Sequence, residues 1–216
     1  MSERNDAYRI KLYQDEVARC VHRLFDEGHA ATLDLMDVSV RDPESGIVVT
    51  TPKPGFLPMT DPDDLHGTDM AVVDIDGNVV YDITPPNDNI GMHLAIYKAR
   101  PEVTAIIHSF PTYCGVFSSN KRGIPFAFVE QGYMTDFDYS GGISSDVVAM
   151  PKADTQEYYD ELIEKFHGTK FVMMHDNGSV SVGSNVDEAL NYLAWMEEVA
   201  QKIYRASLIG DVQWIG

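Results

Sequence analysis

The stretch from Thr84 to Ser119, TPPNDNIGMHLAIYKARPEVTAIIHSFPTYCGVFSS, constrains this chain more than any other. Pro85-Pro86-Asn87-Asp88 is turn chemistry. A helix is expected from Asn89 to Arg100, capped by Asn89 or Asp88, with an apolar side carrying Ile90, Leu94, Ile96 and Tyr97. Pro101 stops it. Val103 to Ile107 then reads as a short buried strand ending at His108, and Pro111 opens a second helix to about Ser119. Such a helix–strand–helix unit, with polar residues at its joints, is where α/β enzymes tend to place chemistry.

The flanking sequence limits what can surround that unit. A first helix is expected over 6–28, with Ile10, Val17, Val21, Leu24 and Phe25 on one face and Gly28 as its stop. His22 and His29 read as surface or cap residues. Residues 33–83 read as strands joined by turns: Val38 to Val40, Ile47 to Thr51, Met70 to Ile75 and Val79 to Tyr81, with a capped turn at Asp61–Leu65 and a hairpin at Asp76-Gly77-Asn78. That is an antiparallel meander rather than a βαβ series, and neither GxGxxG nor a Walker loop is present. Beyond the central unit, strands are expected at Ile124–Val129, Val147–Met150, Phe171–His175 and Ser179–Val182. Residues 130–145 read as a long loop. Helices are expected at Thr155–Phe166 and Val186–Ile209. The whole, 1–216, reads as one α/β domain with a mostly antiparallel sheet.

Charge narrows the partners. The 216 residues carry 16 Lys+Arg against 34 Asp+Glu, a net charge of −18, which disfavours nucleic acid and anionic membranes. There is no apolar run long enough to span a bilayer, and the polar N-terminus lacks the apolar core of a signal peptide. A cytoplasmic protein is the expectation, with Cys20 and Cys114 as buried thiols rather than a disulfide.

Several segments, in order over roughly residues 8–209, resemble the class II aldolase/adducin superfamily. MDVSVRDPESGIVVTTPKPG is similar to GN-[VL]-S-x-R…ITPSG, and MAVVDIDGNVV to the VVVDLDGNVVEG hairpin. PPNDNIGMHLAIYKARPEVTAIIHSF is similar to PSSE-x-x-x-H-x-x-IY-x-x-RPDV-x-AVVH-x-H. FVMMHDNGSVSVGSNVDEAL is similar to LL-x-NHG-x-x-x-x-G-x-x-x-x-EA. The resemblance implies a three-layer α/β/α sandwich around a central, mostly antiparallel sheet. It also implies assembly as a homo-oligomer, a C4 tetramer with pockets between subunits.

It further implies a zinc held by three histidines, a glutamate acid/base, and a phosphate held by the GN, TPSG and PSS segments. Here the sequence departs. His108 matches the first His of H-x-H, but the second is Phe110, the third is Asn177, and the glutamate is Asn89. Phe cannot ligate and Asn suits zinc poorly. The phosphate segments become Met36-Asp37, Thr51-Pro52-Lys53-Pro54-Gly55 and Pro86-Asn87-Asp88, so Asp37 and Asp88 are expected to oppose a phosphate dianion.

Each surviving polar residue has two readings. His108 is a general base or a hydrogen-bonded core histidine. Asn89 and Asn177 hold a carbonyl oxygen, or only cap a helix and supply left-handed geometry before Gly178. Asp37, Thr51, Asn87 and Asp88 are the candidate substrate-binding residues: Asp37, Asn87 and Asp88 bind a polyol, an amine or a cation, or serve turns. His175 lies two residues before Asn177 on the same strand face, so His93, His108 and His175 form the alternative of a relocated zinc site. The stretch Tyr133–Tyr139 is a lid or, preferentially, an interface loop.

Three functions follow. The first is a lyase-type enzyme, in carbohydrate metabolism, acting on a small non-phosphorylated carbonyl or hydroxy compound without the family zinc; His108, Asn89, Asn177 and His175 are its candidate catalytic residues. The second is a non-catalytic, adducin-like scaffold or ligand-binding subunit. The third is a zinc-dependent sugar-phosphate aldolase with relocated ligands.

Overall fold

The computed structural model describes residues 2–57, 61–81, 83–134, 143–150 and 152–212. Eight strands form one sheet in the order β4-β3-β2-β1-β5-β10-β9-β8. The meander occupies one half: β1 (Asp37–Arg41), β2 (Val48–Thr50), β3 (Ala71–Val73) and β4 (Val79–Tyr81). Strand β5 (Ala105–Ser109) lies at the centre, antiparallel to β1 on one side and to β10 (Ser179–Gly183) on the other. The sheet continues through β9 (Phe171–Met174) to β8 (Val147–Val148), and only the β8–β9 pairing is parallel. Strands β6 (Ile124–Pro125) and β7 (Ile143–Ser145) form a separate two-stranded ribbon.

Helices cover both faces, because the strands alternate apolar residues between them. Val38, Val40 and Ile107 join the core under α1 (Ser2–Asp26), α3 (Thr112–Ser119) and α5 (Val186–Ser207). Ile106, Val172 and Val180 point the other way, into the core under α2 (Ile90–Ala99) and α4 (Gln156–Lys165). This is the α/β/α sandwich expected. Cys20 and Cys114 are both buried free thiols.

The local signals worked as chemistry predicts. Gly28 takes φ +76° after α1. The Thr155 hydroxyl accepts from the Tyr158 amide to start α4, and Asn185 does the same for Glu188 in α5. Arg41, at the end of β1, donates to the carbonyls of Tyr97, Pro101 and Val103 and stacks on the Tyr97 ring at 5.0 Å. It thereby satisfies carbonyls that the end of α2 leaves open.

Two expectations change. Ile124–Val129 pairs only at Ile124–Pro125; a 3-10 helix then runs through Val129–Met134, because the buried Gln131 side chain accepts the Ala127 and Phe128 amides and breaks the strand. Asn89 occupies the N-cap position of α2 but makes no capping hydrogen bond, its side chain being engaged elsewhere. Of the Tyr133–Tyr139 loop, Tyr133 is exposed, while residues 135–142 lie outside the described residues.

The β9–β10 turn sets the position of the site. Asp176 has φ 59° and Gly178 φ 69°, and a Cβ on Gly178 would stand 2.3 Å from the Ser109 carbonyl oxygen. Gly178→Ala is therefore expected to lower unfolding free energy by about 1–3 kcal/mol, read as a drop in urea midpoint. An unchanged midpoint would mean that the turn relaxes freely.

Candidate functional site

Strand register brings the first two residues together. Asp37 pairs with His108 across β1 and β5, so their side chains share the face covered by α2. Ser39, two residues on, lies on the same face. Asn89, His93 and Tyr97 follow one another at four-residue spacing and so form one stripe of α2. A polar stripe on a helix thus meets a polar pair on a strand inside the protein.

Asp37 is the hub. It is 3% exposed, beside His108 at 1% and His93 at 0%. Its Oδ2 lies 2.9 Å from His108 Nδ1 and accepts from Asn89 Nδ2 at 2.7 Å. Its Oδ1 lies 2.7 Å from His93 Nε2, at contact distance but outside hydrogen-bond alignment. Beyond His93, the Ser39 hydroxyl lies 2.7 Å from His93 Nδ1 and 2.8 Å from the Tyr97 hydroxyl.

Donor bookkeeping fixes the roles. His108 Nε2 lies 2.7 Å from the Asn177 carbonyl oxygen, which can only accept. Nδ1 faces a carboxylate, which also accepts. Both contacts are satisfied together when both ring nitrogens donate, the arrangement in which His108 is the charged partner of Asp37. The 3.3 Å approach of Asn89 Nδ2 to His108 Nδ1 is then two donors converging on one carboxylate oxygen rather than a bond between them. Burial opposes ionisation of Asp37, but the His108 charge and hydrogen bond, with the close approach of His93, outweigh it. They hold the carboxyl well below its ordinary range.

The other candidate residues are distributed differently from the expectation. Asp37 is buried, with its carboxylate turned onto His108 and Asn89. Asn87 donates to the Thr50 hydroxyl at 2.7 Å, and its Oδ1 accepts the Asn89 amide, so it braces the turn before α2. Thr51 is buried, and its carbonyl accepts the Asn87 amide. Asp88 is exposed and paired with Lys53 at 2.7 Å. A small cavity of about 50 Å³ adjoins that loop, lined by Asp34, Met36, Thr51 and Lys53 among others. The Asn177 side chain turns away from His108 towards the Tyr158 hydroxyl, at 3.4 Å. His175 does not join the cluster: it contacts the Ser118 carbonyl at 3.2 Å and Asp176 at 3.1 Å. The pleat that puts His175 on the strand face of Asn177 does not survive into the turn. His22 rests on the Leu65 carbonyl, as a surface residue would.

Sequence reasoning missed Ser39, Tyr97 and Lys152 as partners. Lys152 is exposed and donates to Asn89 Oδ1. The four-residue spacing of Asn89, His93 and Tyr97 was the available signal for Tyr97, and strand alternation from Asp37 that for Ser39. Nothing local announces the third.

Comparison with known proteins accords with the architecture. The family described as Class II Aldolase and Adducin N-terminal domain matches residues 15–204, and the chain belongs to that family. It is 28% identical over 172 residues to an L-fuculose phosphate aldolase of Methanococcus maripaludis, covering 78% of this chain and 83% of the relative. It is 26% identical over 181 residues to the L-ribulose-5-phosphate 4-epimerase UlaF of Salmonella paratyphi B, covering 79% and 75%. Among solved structures, an L-fuculose 1-phosphate aldolase superposes with a TM-score of 0.83 at 22% identity over 94% of this chain and 90% of that one. No helix among the described residues is long and apolar enough to cross a membrane.

The residues present do not fit the family's zinc. Zinc takes a lone pair from an unprotonated imidazole, and both nitrogens of His108 are committed as donors. Phe110 has no donor atom; its ring lies against His108 with centroids 5.2 Å apart. Among the described residues no group of three or more His, Cys, Asp or Glu side chains is arranged to hold a metal ion.

Asp37→Asn keeps the shape and removes the charge opposite a buried imidazolium. It should destabilise the fold by about 3–5 kcal/mol, measured by chemical denaturation at pH 7. A folded-state value depressed below the ordinary 3.8 means that the wild-type contribution is complete above that pH. It is lost progressively as pH falls through and below it. The wild-type midpoint should therefore decline in that acid window more steeply than that of the Asn variant; parallel profiles would refute the assignment.

Proposed function

We propose that this protein is a lyase-type member of the class II aldolase family that acts on a small non-phosphorylated carbonyl or hydroxy compound without the family zinc. The observation that carries the reading is the double commitment of His108, to Asp37 Oδ2 and to the Asn177 carbonyl. It sets an acceptor of the chain itself against each ring nitrogen. Enolate chemistry needs positive charge or hydrogen-bond donors near the oxygen that becomes anionic. The cluster offers the Asn89 amide and the Lys152 ammonium in its place.

His108 serves here as an electrostatic and positioning group rather than as a base, since no acceptor lone pair is left on its ring. Asn89, only half-buried, is the residue of the cluster that reaches towards solvent, and its carboxamide is oriented by Asp37. The neutralisation of Asp88 by Lys53 leaves the former phosphate region without net positive charge, which supports a non-phosphorylated substrate. We further propose cytoplasmic residence and the tetrameric assembly implied by the family resemblance.

A second reading is favoured by one observation: His108, His93 and Asp37 are all buried, as a purely structural cluster would be. In it, the protein is an adducin-like scaffold.

One experiment separates them. The protein is purified without chelator, assayed for metal, and incubated in deuterium oxide with a panel of sugars, sugar acids and sugar phosphates. NMR follows exchange at the carbon next to the carbonyl and C–C cleavage. The expected result is zinc far below one per chain, with exchange on a non-phosphorylated compound that survives EDTA and is lost in Asn89→Ala. Stoichiometric zinc with EDTA-sensitive turnover of a sugar phosphate would sink the proposal, and a folded protein inert across the panel would leave the scaffold.

A further inference from the structure

The distribution of lysine charge singles out one side chain. Lys11, Lys53, Lys98, Lys165 and Lys202 each sit within 3.1 Å of a carboxylate, as expected in a chain of net charge −18. Lys121, Lys152 and Lys170 have no carboxylate within salt-bridge distance among the described residues, and of these three Lys152 is the one bonded to the Asp37 cluster. Its ammonium donates to the amide oxygen of Asn89, and among the described residues no carboxylate pairs with it. A neutral amide is a poorer partner for a cation than a carboxylate, because hydrogen bonds with both partners charged are the stronger ones. The acceptor is also not free to adapt: Asn89 is fixed by its Nδ2 bond to Asp37 at 2.7 Å. Among the described residues, Lys152 is thus an exposed cation without a carboxylate partner, bonded to Asn89 at the solvent side of the Asp37–His108 cluster.

We propose that Lys152 contacts the substrate directly and that the substrate carries a carboxylate, as in a small 2-hydroxy or 2-oxo acid. The carboxylate displaces Asn89 Oδ1 from the ammonium and gains an ion pair. The released Asn89 oxygen, still tethered through Nδ2, is then available to a substrate hydroxyl. An acidic protein repels small anions at long range, so an anionic substrate needs such a local cation. The charge is single and compact, which suits a carboxylate and falls short of a phosphate dianion, for which planar or multiple donors are the better match. This assignment rests on the metal-free reading above and deepens it by naming the substrate class.

The test uses oxamate, an unreactive mimic of a 2-oxo acid, with glyceraldehyde as the uncharged comparator and inorganic phosphate as the competing anion. Binding is measured by isothermal titration on the whole protein. Oxamate should bind in preference to both. Lys152→Ala should weaken it by about tenfold or more, as loss of a charged hydrogen bond does. Lys152→Arg should retain most of the affinity, and Lys98→Ala, whose partner is Asp76, should leave it unchanged. Lys152 is exposed, so the variants should keep the wild-type melting temperature. Oxamate affinity that is absent, or the same in Lys152→Ala, overturns the proposal; so does tighter, Lys152-dependent binding of phosphate. The two readings fail separately. Zinc content and EDTA sensitivity decide the metal-free chemistry, whereas Lys152 dependence of oxamate binding decides the substrate class.

Discussion

A buried carboxylate must be answered by donors, and most of the site follows from that demand. Asp37 begins β1 inside the protein, where an unpaired charge is prohibitively costly. Three side chains answer it, from three directions: His108 from the neighbouring strand, and Asn89 and His93 from the helix above. Each answer constrains a different joint of the fold. The His108 bond locks the β1–β5 register at the end of the sheet. The Asn89 bond turns the N-cap residue of α2 inward, at the expense of its cap. His93 passes the constraint on to Ser39 and Tyr97, which Arg41 in turn fixes from the far side. Such chains are strong when every member is satisfied. The one imperfect link, between Asp37 Oδ1 and His93 Nε2, is where this cluster retains slack.

The same cluster holds His108 with groups of the chain itself. A metal site makes its ligands converge, and losing ligands would leave like-minded polar groups facing one another in a dry interior. Substituting a carboxylate at position 37 turns that liability into an ion pair. His108 then gains a reason to remain that has nothing to do with ligating metal. Phe110 and Asn177 can replace histidines without leaving a void, since Phe110 packs on the His108 ring and the Asn177 backbone, rather than its side chain, closes the Nε2 end. The turn that presents this carbonyl depends on the left-handed Asp176 and Gly178.

The layers of the fold were legible because each strand and helix wrote its period into the sequence. Val38-Ser39-Val40, Pro101 as a stop, and Asn177-Gly178 as a turn signal needed no tertiary information. The members of the site were partly legible. His108 and Asn89 stood where the family resemblance placed them, and the structure brings both onto Asp37. The relation among them was not legible, because it depends on register. Nothing local says that Asp37 lies opposite His108, and without that pairing Asp37 reads as an open carboxylate awaiting a ligand. His175 erred the other way: strand alternation placed it beside Asn177, but the strand ends at Met174 and the alternation with it. Lys152 lies 63 residues from its partner Asn89, so only the folded chain could join them.

What distinguishes the proposed chemistry is how charge is held. A zinc ion carries its charge wherever its ligands converge, and the protein need only supply lone pairs. An imidazolium and an ammonium carry theirs on the chain itself, so each must be held in place by an acceptor. His108 is held by Asp37, which cancels most of its field at a distance but leaves its N–H dipoles oriented. Among the described residues Lys152 is held by an amide rather than a carboxylate. The first is therefore suited to fixing geometry and the second to recruiting an anion. That division gives Asn89 its place: it is the one residue that touches both, through Nδ2 to the buried pair and through Oδ1 to the exposed cation. An acid side chain at that position, as the family resemblance would have it, would set two carboxylates against each other at Asp37 and neutralise Lys152. The asparagine is thus the substitution that a buried Asp37 and an exposed Lys152 jointly require.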